Sequence, residues 1–593
     1  MDLLKELCEL LDYSTFIKNK KEIKEKLLEN TYLIEKKIAI LCGSTVGEIK
    51  ELITIFLLYY GIKPVFWEGN YNRYYEDACF SNSSLLEFAP DFILLHITSR
   101  NLLYNTETSI KQMGEILERD KERLRQIWMS LEEKYNCDII QNNFEYFPYR
   151  IIGNGARTYE EGNVKYIDDL NYYISSYARE KRNFYVNDVN YIAAYVGLEK
   201  WYDDRMWNLY KCPMAMDVMP RYALSIVNII KSVLGKNKKT IITDLDNTLW
   251  GGVIGEVGAE NILLGKETSR GETFCELHKY LRTLSLNGIL LNICSKNEYE
   301  TGISGLKNQN SILKDEDFLV KKINWSNKPD NIREIISELN ILEDSVVYLD
   351  DDFVECDSVS SMLPNIETLQ VTDVYKLLKK MDAMSYFEVT NITDEDRRRQ
   401  RFYKREMSRN EERRKFADYE DYLKALKIKC RTGSVNKDNI ERVVQLFNKT
   451  NQFNFMSNRY TITEMTKLYD SSEAEILVLE TEDKFGDNGI VAVSIIRFEK
   501  EEAHICDWIM SCRVFERGLE YEMLKQICRK CLENKVNCLY GYYKETSKNK
   551  KIFDFYNSLN FEKDLESDRW IYRDIGSLYR TMEAKTSYIE EIE

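Results

Sequence analysis

Histidine is almost missing from this sequence: three in 593 residues, which leaves little room for His-based triads or His-rich metal sites. Catalysis is therefore expected to run on carboxylates. Surplus positive charge is missing too. Lys plus Arg number 83 against 98 Asp plus Glu, a formal charge of −15, and a field of that sign repels nucleic-acid phosphates and anionic lipid. Neither nucleic acid nor membrane is an expected partner. No apolar run is long enough to span a bilayer: the longest, Leu52 to Ile62, stops short of the roughly 18–20 residues required. The opening MDLLKELCEL lacks the basic head and apolar core of a secretory signal and reads as an amphipathic helix, so a cytoplasmic protein is expected. Fourteen cysteines in that setting read as reduced thiols rather than a disulfide framework. Cys528 and Cys531 form a CxxC inside a helical pattern without a second pair at zinc-ribbon spacing, and no metal is expected there.

What the chain does have is length and alternation. At roughly 100–200 residues per domain the length implies several domains. Residues 1–235 alternate helix and short apolar strand, with strands expected at Lys37–Leu41, Lys63–Phe66 and Asp91–His96 and a helix at Glu48–Tyr60, the pattern of a parallel α/β domain. A second alternation, 236–390, opens with KTIITDLD, continues through GILLNICS and closes at SVVYLDDD. Residues 391–416 are a charge run that reads as a solvated linker helix, with Thr393 and Asp396 spaced as a capping box. Residues 417–593 carry strands IKCRTG, EILVLET and GIVAVSIIRF, a helix near Glu516–Asn534 and an acidic tail, YIEEIE, expected to fray.

The segment DLDNTLW places Asp244 and Asp246 two apart just past an apolar strand. At that spacing one carboxylate can attack phosphorus while the other gives a proton to the leaving oxygen and takes one from water. Ser295 ends strand GILLNICS, Lys328 stands in SNKPDN ahead of a helix, and Asp350, Asp351 and Asp352 close strand SVVYLD. In that order these four elements resemble the haloacid dehalogenase (HAD) superfamily. The resemblance makes Asp244 the nucleophile of an aspartyl-phosphate and Asp246 the general acid/base. It assigns the transferred phosphate to Ser295, Lys328 and Thr248. Mg²⁺, a hard cation that favours oxygen ligands, would lie between the Asp244 carboxylate, the Asp246 carbonyl and an acid of the Asp350/Asp351 pair. The gaps from Thr248 to Ser295 and from Ser295 to Lys328 are too short for a cap domain, so an open site is expected.

The strings DLDNTLWGGVIGEVGAENILLG, CSKNE and TNQFNFMSNRYT further resemble FkbH-like proteins of HAD subfamily IIIC. That resemblance implies transfer of a glyceryl unit from 1,3-bisphosphoglycerate, with dephosphorylation, to the phosphopantetheine thiol of an acyl carrier protein in polyketide-type biosynthesis. The closing motif departs from the family's DDNPxE: an Asp stands where the pattern has Asn, ahead of Phe353 and Glu355. The metal carboxylate is thereby left open between Asp350 and Asp351. Cys294, immediately before Ser295, is either an acyl-carrying nucleophile or, if the pleat sets it opposite Ser295, a buried small hydrophobe.

The flanking regions resemble two other folds. IAILCGST with Ser44 and PDFILLHITSRNLL resemble SGNH-type hydrolases, but the position where a base is expected reads YDDRMWNLYK, with Asp203 and Asp204 and no His. His96, the one imidazole of the region, stands at a different motif position, so a Ser-His-Asp triad is not expected. ICDWIMSCRVFERGLEYEMLKQI resembles a GNAT acyltransferase whose pyrophosphate loop carries Glu516 in place of the first Gly. CoA is not expected there; the loop, through Arg513, Arg517 and Gly518, either receives a carrier arm or is structural. The expected architecture is α/β in three domains: SGNH/flavodoxin-like, capless HAD Rossmannoid and GNAT-like α+β. The functional readings are a glyceryl-transferring HAD enzyme, a general HAD phosphatase, or a non-catalytic scaffold.

Overall fold

The computed structural model describes residues 13–30, 32–105, 112–135, 137–390, 394–471, 474–546, 548–564 and 569–592. The amphipathic helix expected at the first ten residues and the Thr393 end of the capping box lie outside them. The chain forms two compact units, one of 1–236 with 437–448 and 458–472, the other of 237–436, 449–457 and 473–593.

The first unit is built on five strands, β1 Ile34–Cys42, β2 Ile62–Glu68, β3 Phe92–His96, β4 Asp138–Asn142 and β5 Phe184–Asn187, in the order β2-β1-β3-β4-β5. Every pairing is parallel. Parallel strands are buried on both faces, so they read as apolar runs without alternation, and β3 and β4 are buried at every residue. β1 is three residues longer at its start than the apolar run suggests, because Ile34, Glu35 and Lys36 pair with Ile62, Lys63 and Pro64. Helix Met113–Lys134 packs Trp128 into the core on this sheet. Sequence neighbours part between β1 and β3, the switch point at which open α/β sheets hold ligands.

The second unit carries two sheets. Strands β6 Thr240–Thr243, β7 Leu290–Ser295, β8 Phe318–Ile323, β9 Val346–Asp350 and β10 Glu367–Gln370 run parallel in the order β10-β9-β6-β7-β8. The switch point here falls between β6 and β9. Between β6 and β7 lie a four-residue helix, Ile254–Val257, and helix Ser269–Leu286; between β7 and β8 lie helix Tyr299–Leu306 and one 3₁₀ turn. No cap domain interrupts these connections.

The third sheet has nine strands, β11 Lys429–Ser434, β12 Phe453–Asn454, β13 Glu475–Asp483, β14 Gly486–Glu499, β15 Glu502–Met510, β16 Cys538–Tyr542, β17 Glu562–Asp564, β18 Arg569–Tyr572 and β19 Glu590–Glu591. It is antiparallel except where β15 meets β16 and β11 meets β19. Two expectations fail here. The acidic tail is not frayed: β19 pairs with β11, and Glu591 takes ion pairs from Lys525 at 2.6 Å and Arg529 at 2.7 Å. The charged helix, Asp394–Arg413, is not a solvated spacer either. Arg409 is 2% exposed and donates from Nε and Nη2 to the two Asp483 carboxylate oxygens, each at 2.8 Å, while Arg399, Gln400 and Lys404 donate to the carbonyls of Gly288, Asp317 and Glu316. Composition alone reports charge, not whether a facing surface supplies its partners. No helix among the described residues is long and apolar enough to cross a membrane.

Candidate active site

β6 delivers Asp244 to the C-terminal edge of the second sheet, and its amide donates to the Leu349 carbonyl of β9 at 2.9 Å. The chain then turns through Asn247, whose φ of +53° is in the left-handed region Asn tolerates better than most residues. The Asn247 side-chain oxygen accepts from the Gly252 amide at 2.9 Å, which folds the flap back over the turn. β9 delivers Asp350 and Asp351 beside it. Asp244, Asp350 and Asp351 each place a carboxylate oxygen within 4.8 Å of the others.

Lys328 opens helix Lys328–Leu339, with Pro329 in the first turn where its missing N–H costs nothing. Its Nζ lies 3.3 Å from Asp244 and also pairs with Asp350. Tyr348 donates to the same Asp350 carboxylate, and the Asp352 amide donates to it at 2.9 Å. Burial pushes the Asp244 carboxyl well up; the Lys328 charge opposes that shift and Asp350 adds to it. For Lys328 burial alone would act downward, but Asp244 and Asp350 hold the ammonium above its ordinary value. Burial, then Asp350, raises Asp351.

Three carboxylates facing one ammonium leave negative charge uncompensated in a buried place. Asp244 Oδ1 is buried with no hydrogen-bond partner. An unpaired buried acceptor among hard oxygen donors is what a divalent cation such as Mg²⁺ satisfies, so the donor set fits that ion.

Asp246 is held differently. Its Oδ1 accepts from Trp250 Nε1 at 2.9 Å and from the Ile254 amide at 3.0 Å, and its Oδ2 accepts from Asn297 Nδ2 at 2.9 Å. The carboxylate is outside the cluster, which leaves only the backbone carbonyl for a metal. Thr248 Oγ1 accepts from the Asp351 amide at 3.0 Å, and Ser295, at the end of β7, is within 3.4 Å of Asn297. Asp352, the acid in place of Asn, caps helix Phe353–Met362 by accepting from the Val354 amide at 2.7 Å. Asn and Asp perform that task about equally, and the departure from the family pattern is spent on the cap.

The structure brings Asp244, Asp246, Thr248, Ser295, Lys328, Asp350 and Asp351 together at this one edge. It does not bring Cys294 to it as a nucleophile. The Cys294 side chain is fully buried in the core with Leu290, Ile332 and Tyr348, its sulfur 3.8 Å from the Lys328 carbonyl, and burial pushes the thiol up to about 12. Sequence reasoning passed over Trp250, Asn297 and Tyr348, although all three stand within or beside the strings that mark the motif.

The loop of Arg513, Arg517 and Gly518 is also filled by the protein itself. Arg517 is 5% exposed, pairs with Glu406, and lies 3.8 Å from Asp483. The Arg513 guanidinium lies 4.6 Å over the Phe402 ring. Tyr588 donates to the Arg517 carbonyl at 2.9 Å, and its hydroxyl is only 2.0 Å from where a Cβ would stand on Gly518. Next to this loop, pairing of β15 with β16 stops at Ile505 and Gly541, and β12 of the TNQFN segment takes the β15 edge at Ile509 and Met510 instead. The β15 edge is thus paired at Ile509 and Met510, and Arg517 is paired with Glu406.

In the first unit the structure supplies a contact the sequence did not suggest: His96 Nε2 lies 2.9 Å from Ser44 Oγ. Asp203, at the motif's usual position, caps helix Asp204–Tyr210, and Asp204 pairs with Arg100 at 2.7 Å.

Comparison with known proteins places this site in context. Residues 59–231 match the family described as FkbH, N-terminal domain. A crystal structure of the N-terminal part of the protein BF1531 from Bacteroides fragilis, containing a phosphatase domain complexed with Mg, is similar over 63% of this chain and 99% of its own, at 26% identity and a TM-score of 0.59. A spermidine N-acetyltransferase from Vibrio cholerae matches over 26% of this chain and 98% of its own, at 13% identity and a TM-score of 0.21. An acetyltransferase of the GNAT family from Streptococcus pneumoniae matches over 24% and 96%, at 13% identity and a TM-score of 0.19. No curated protein matches the sequence.

Proposed function

We propose that this chain is a magnesium-dependent phosphoryl-transfer enzyme of the HAD kind that loads a glyceryl unit from 1,3-bisphosphoglycerate onto the thiol of an acyl carrier protein in the cytoplasm, as part of polyketide-type biosynthesis. The observation that carries the phosphoryl-transfer reading is the convergence of Asp244, Asp350 and Asp351 within 4.8 Å around an unpartnered Asp244 oxygen, with Lys328 3.3 Å away. Bound Mg²⁺ would neutralise charge on the transferred phosphoryl group. The carrier thiol bonds to C1 of the donor and displaces inorganic phosphate, which takes the thiol proton; Asp244 attacks the C3 phosphorus in line and becomes an aspartyl-phosphate, and the C3 oxygen leaves. Asp246, aimed by Trp250, Ile254 and Asn297, gives a proton to the leaving oxygen and takes one from the water that regenerates Asp244. Lys328 and Ser295 hold the phosphoryl oxygens while the charge moves.

The glyceryl and carrier portion of the reading rests on the resemblance of DLDNTLWGGVIGEVGAENILLG and TNQFNFMSNRYT to FkbH-like proteins, beside the FkbH N-terminal match over residues 59–231. Its test is the intact mass of a carrier protein incubated with the full chain, Mg²⁺ and 1,3-bisphosphoglycerate. A mass gain of one glyceryl unit is expected, and no gain on any carrier tried would refute it. The uncapped connections around β7 favour a second reading, a general phosphatase open to bulky substrates, which predicts phosphate release without a carrier. Both readings require Asp244, whereas a scaffold would not.

A further inference from the structure

We propose that Ser44 and His96 form a nucleophile and base that take an acyl group from an activated ester or thioester, at a centre separate from Asp244. The pair stands at the switch point of the first sheet. Cys42 of β1 is the register partner of His96 at the end of β3, so Ser44, two residues further on, comes over the imidazole with Oγ 2.9 Å from Nε2. The other ring nitrogen, Nδ1, is 2.6 Å from the Tyr222 hydroxyl. That hydroxyl donates to Asn142 Oδ1 at 3.2 Å, and Asn142 Oδ1 in turn accepts from Asn187 Nδ2 at 2.8 Å. Asn142 Nδ2 also donates to the Tyr222 hydroxyl at 2.8 Å; in the tautomer with the proton on Nδ1, Tyr222 accepts from Nδ1–H and the Nε2 lone pair faces the Ser44 hydroxyl. This is the arrangement a base needs: nucleophile on one nitrogen, orienting group on the other.

The ordinary alternative is a core histidine whose nitrogens are merely satisfied. His278 is such a case, buried with Nε2 on the Leu249 carbonyl at 2.9 Å. His96 instead meets a hydroxyl, on a strand-to-helix turn, at the topological position where open α/β sheets hold ligands. Burial lowers its pKa to about 4, so the ring is neutral at neutral pH, and the imidazolium formed in the reaction has to be stabilised by the groups around it. The Thr45 amide donates to the Lys211 carbonyl at 3.2 Å, but helix Gly47–Tyr59 begins three residues after Ser44 with no side-chain cap, and its first-turn N–H groups are the donors a developing oxyanion would use. Ser44 is itself buried, while Thr45 and Gly47 on the same turn are exposed. Thr45 Oγ1 donates to the carbonyls of Tyr210 and Lys211 at 3.0 Å, so that segment covers the turn, and an acyl group reaches Ser44 only when it moves aside.

In the reaction Ser44 Oγ bonds to the acyl carbon as its proton passes to Nε2. The C–O or C–S bond then breaks, and the imidazolium returns the proton to the departing alcohol or thiol. Water, or another hydroxyl or thiol, reverses these steps to release the acyl group.

The test is covalent labelling of the full-length protein with a fluorophosphonate probe, followed by intact mass and peptide mapping. One adduct is expected, mapped to the Ser44 peptide. It is absent in Ser44→Ala, and its rate of formation falls by about 10²-fold or more in His96→Gln. Tyr222→Phe keeps the ring packing and lowers the same rate by a smaller factor. No adduct on the native protein, or an adduct mapped elsewhere that survives Ser44→Ala, overturns the proposal. Circular dichroism melting of each variant separates loss of labelling from loss of fold.

Discussion

At the C-terminal edge of the first sheet, where β1 and β3 part, the polar groups are neutral: Ser44, His96, Tyr222 and Asn142 satisfy one another at 2.6–3.2 Å. At the same edge of the second sheet, where β6 and β9 part, they are charged: Asp244, Asp350, Asp351 and Lys328 crowd together with one carboxylate oxygen left unpaired. The two sheets have five parallel strands each, and both gather their polar residues at the switch point, because only there do adjacent strand ends diverge enough to admit side chains and ligand. The difference lies in what each edge still needs. A neutral network needs no ion and can be held by burial alone, which leaves Ser44 and His96 facing one another as the proposed pair. A buried excess of carboxylate cannot, and it turns the second edge into a site for a cation and an anionic substrate.

The largest break in this comparison is expected from Asp244→Asn, which should lower phosphate release by about 10³-fold or more while circular dichroism stays native. Release within tenfold of the parent would mean the charged edge is not the reacting one. Lys328→Met should cost about 3–5 kcal/mol of stability, because it leaves Asp244 and Asp350 buried without their counter-charge. Urea unfolding measures the loss, and Mg²⁺ should restore part of it.

For the neutral edge the sign is set by His96, which burial holds near 4, below the ordinary 6.5 of an unfolded chain. The unfolded state therefore binds the proton more readily. The stabilisation is fully present above about pH 6.5 and is lost as pH falls toward 4, up to about 3 kcal/mol. Unfolding of wild type and His96→Gln across that window should show the difference shrinking as pH falls. Mg²⁺ at a hundred times its dissociation constant should stabilise the protein by about 2.7 kcal/mol, and Asp350→Asn should abolish that shift in melting temperature. Asp352→Asn should be nearly silent, within about 0.5 kcal/mol, since both residues cap the following helix.

The charged edge was legible in the sequence because each of its members sits next to an apolar strand. Asp244 and Asp246 follow TIIT, Ser295 ends LLNICS, and Asp350 ends VVYLD. A strand boundary fixes where such residues emerge, and three strand ends together with the helix start at Lys328, in order, fix the site. Tyr348 and Asn297 lie in the same strings, yet they hold other side chains rather than substrate, and no spacing rule marks that task. The neutral edge was not legible. Ser44 and His96 are 52 residues apart, and their contact depends on β3 adding beside β1 in a register that only the folded sheet sets. The same limit applies to Arg409, Arg517 and Tyr588. Charge and aromaticity were visible, but the partners Asp483, Glu406 and the Gly518 turn are brought in by tertiary packing.

The inclusion of 437–448 and 458–472 in the first unit has a consequence in time. Asp138, at the start of β4 and wholly buried, takes a hydrogen bond from Thr463 Oγ1 at 3.1 Å, and the buried Lys36 of β1 pairs with Glu464 at 2.8 Å. During synthesis the five strands of that sheet leave the ribosome long before their last partners exist. At about 5–20 residues per second the wait is roughly 10–50 s. Through that interval the segment 458–472 that carries Thr463 and Glu464 has not yet been translated, so Asp138 and Lys36, both buried in the finished fold, lack these partners.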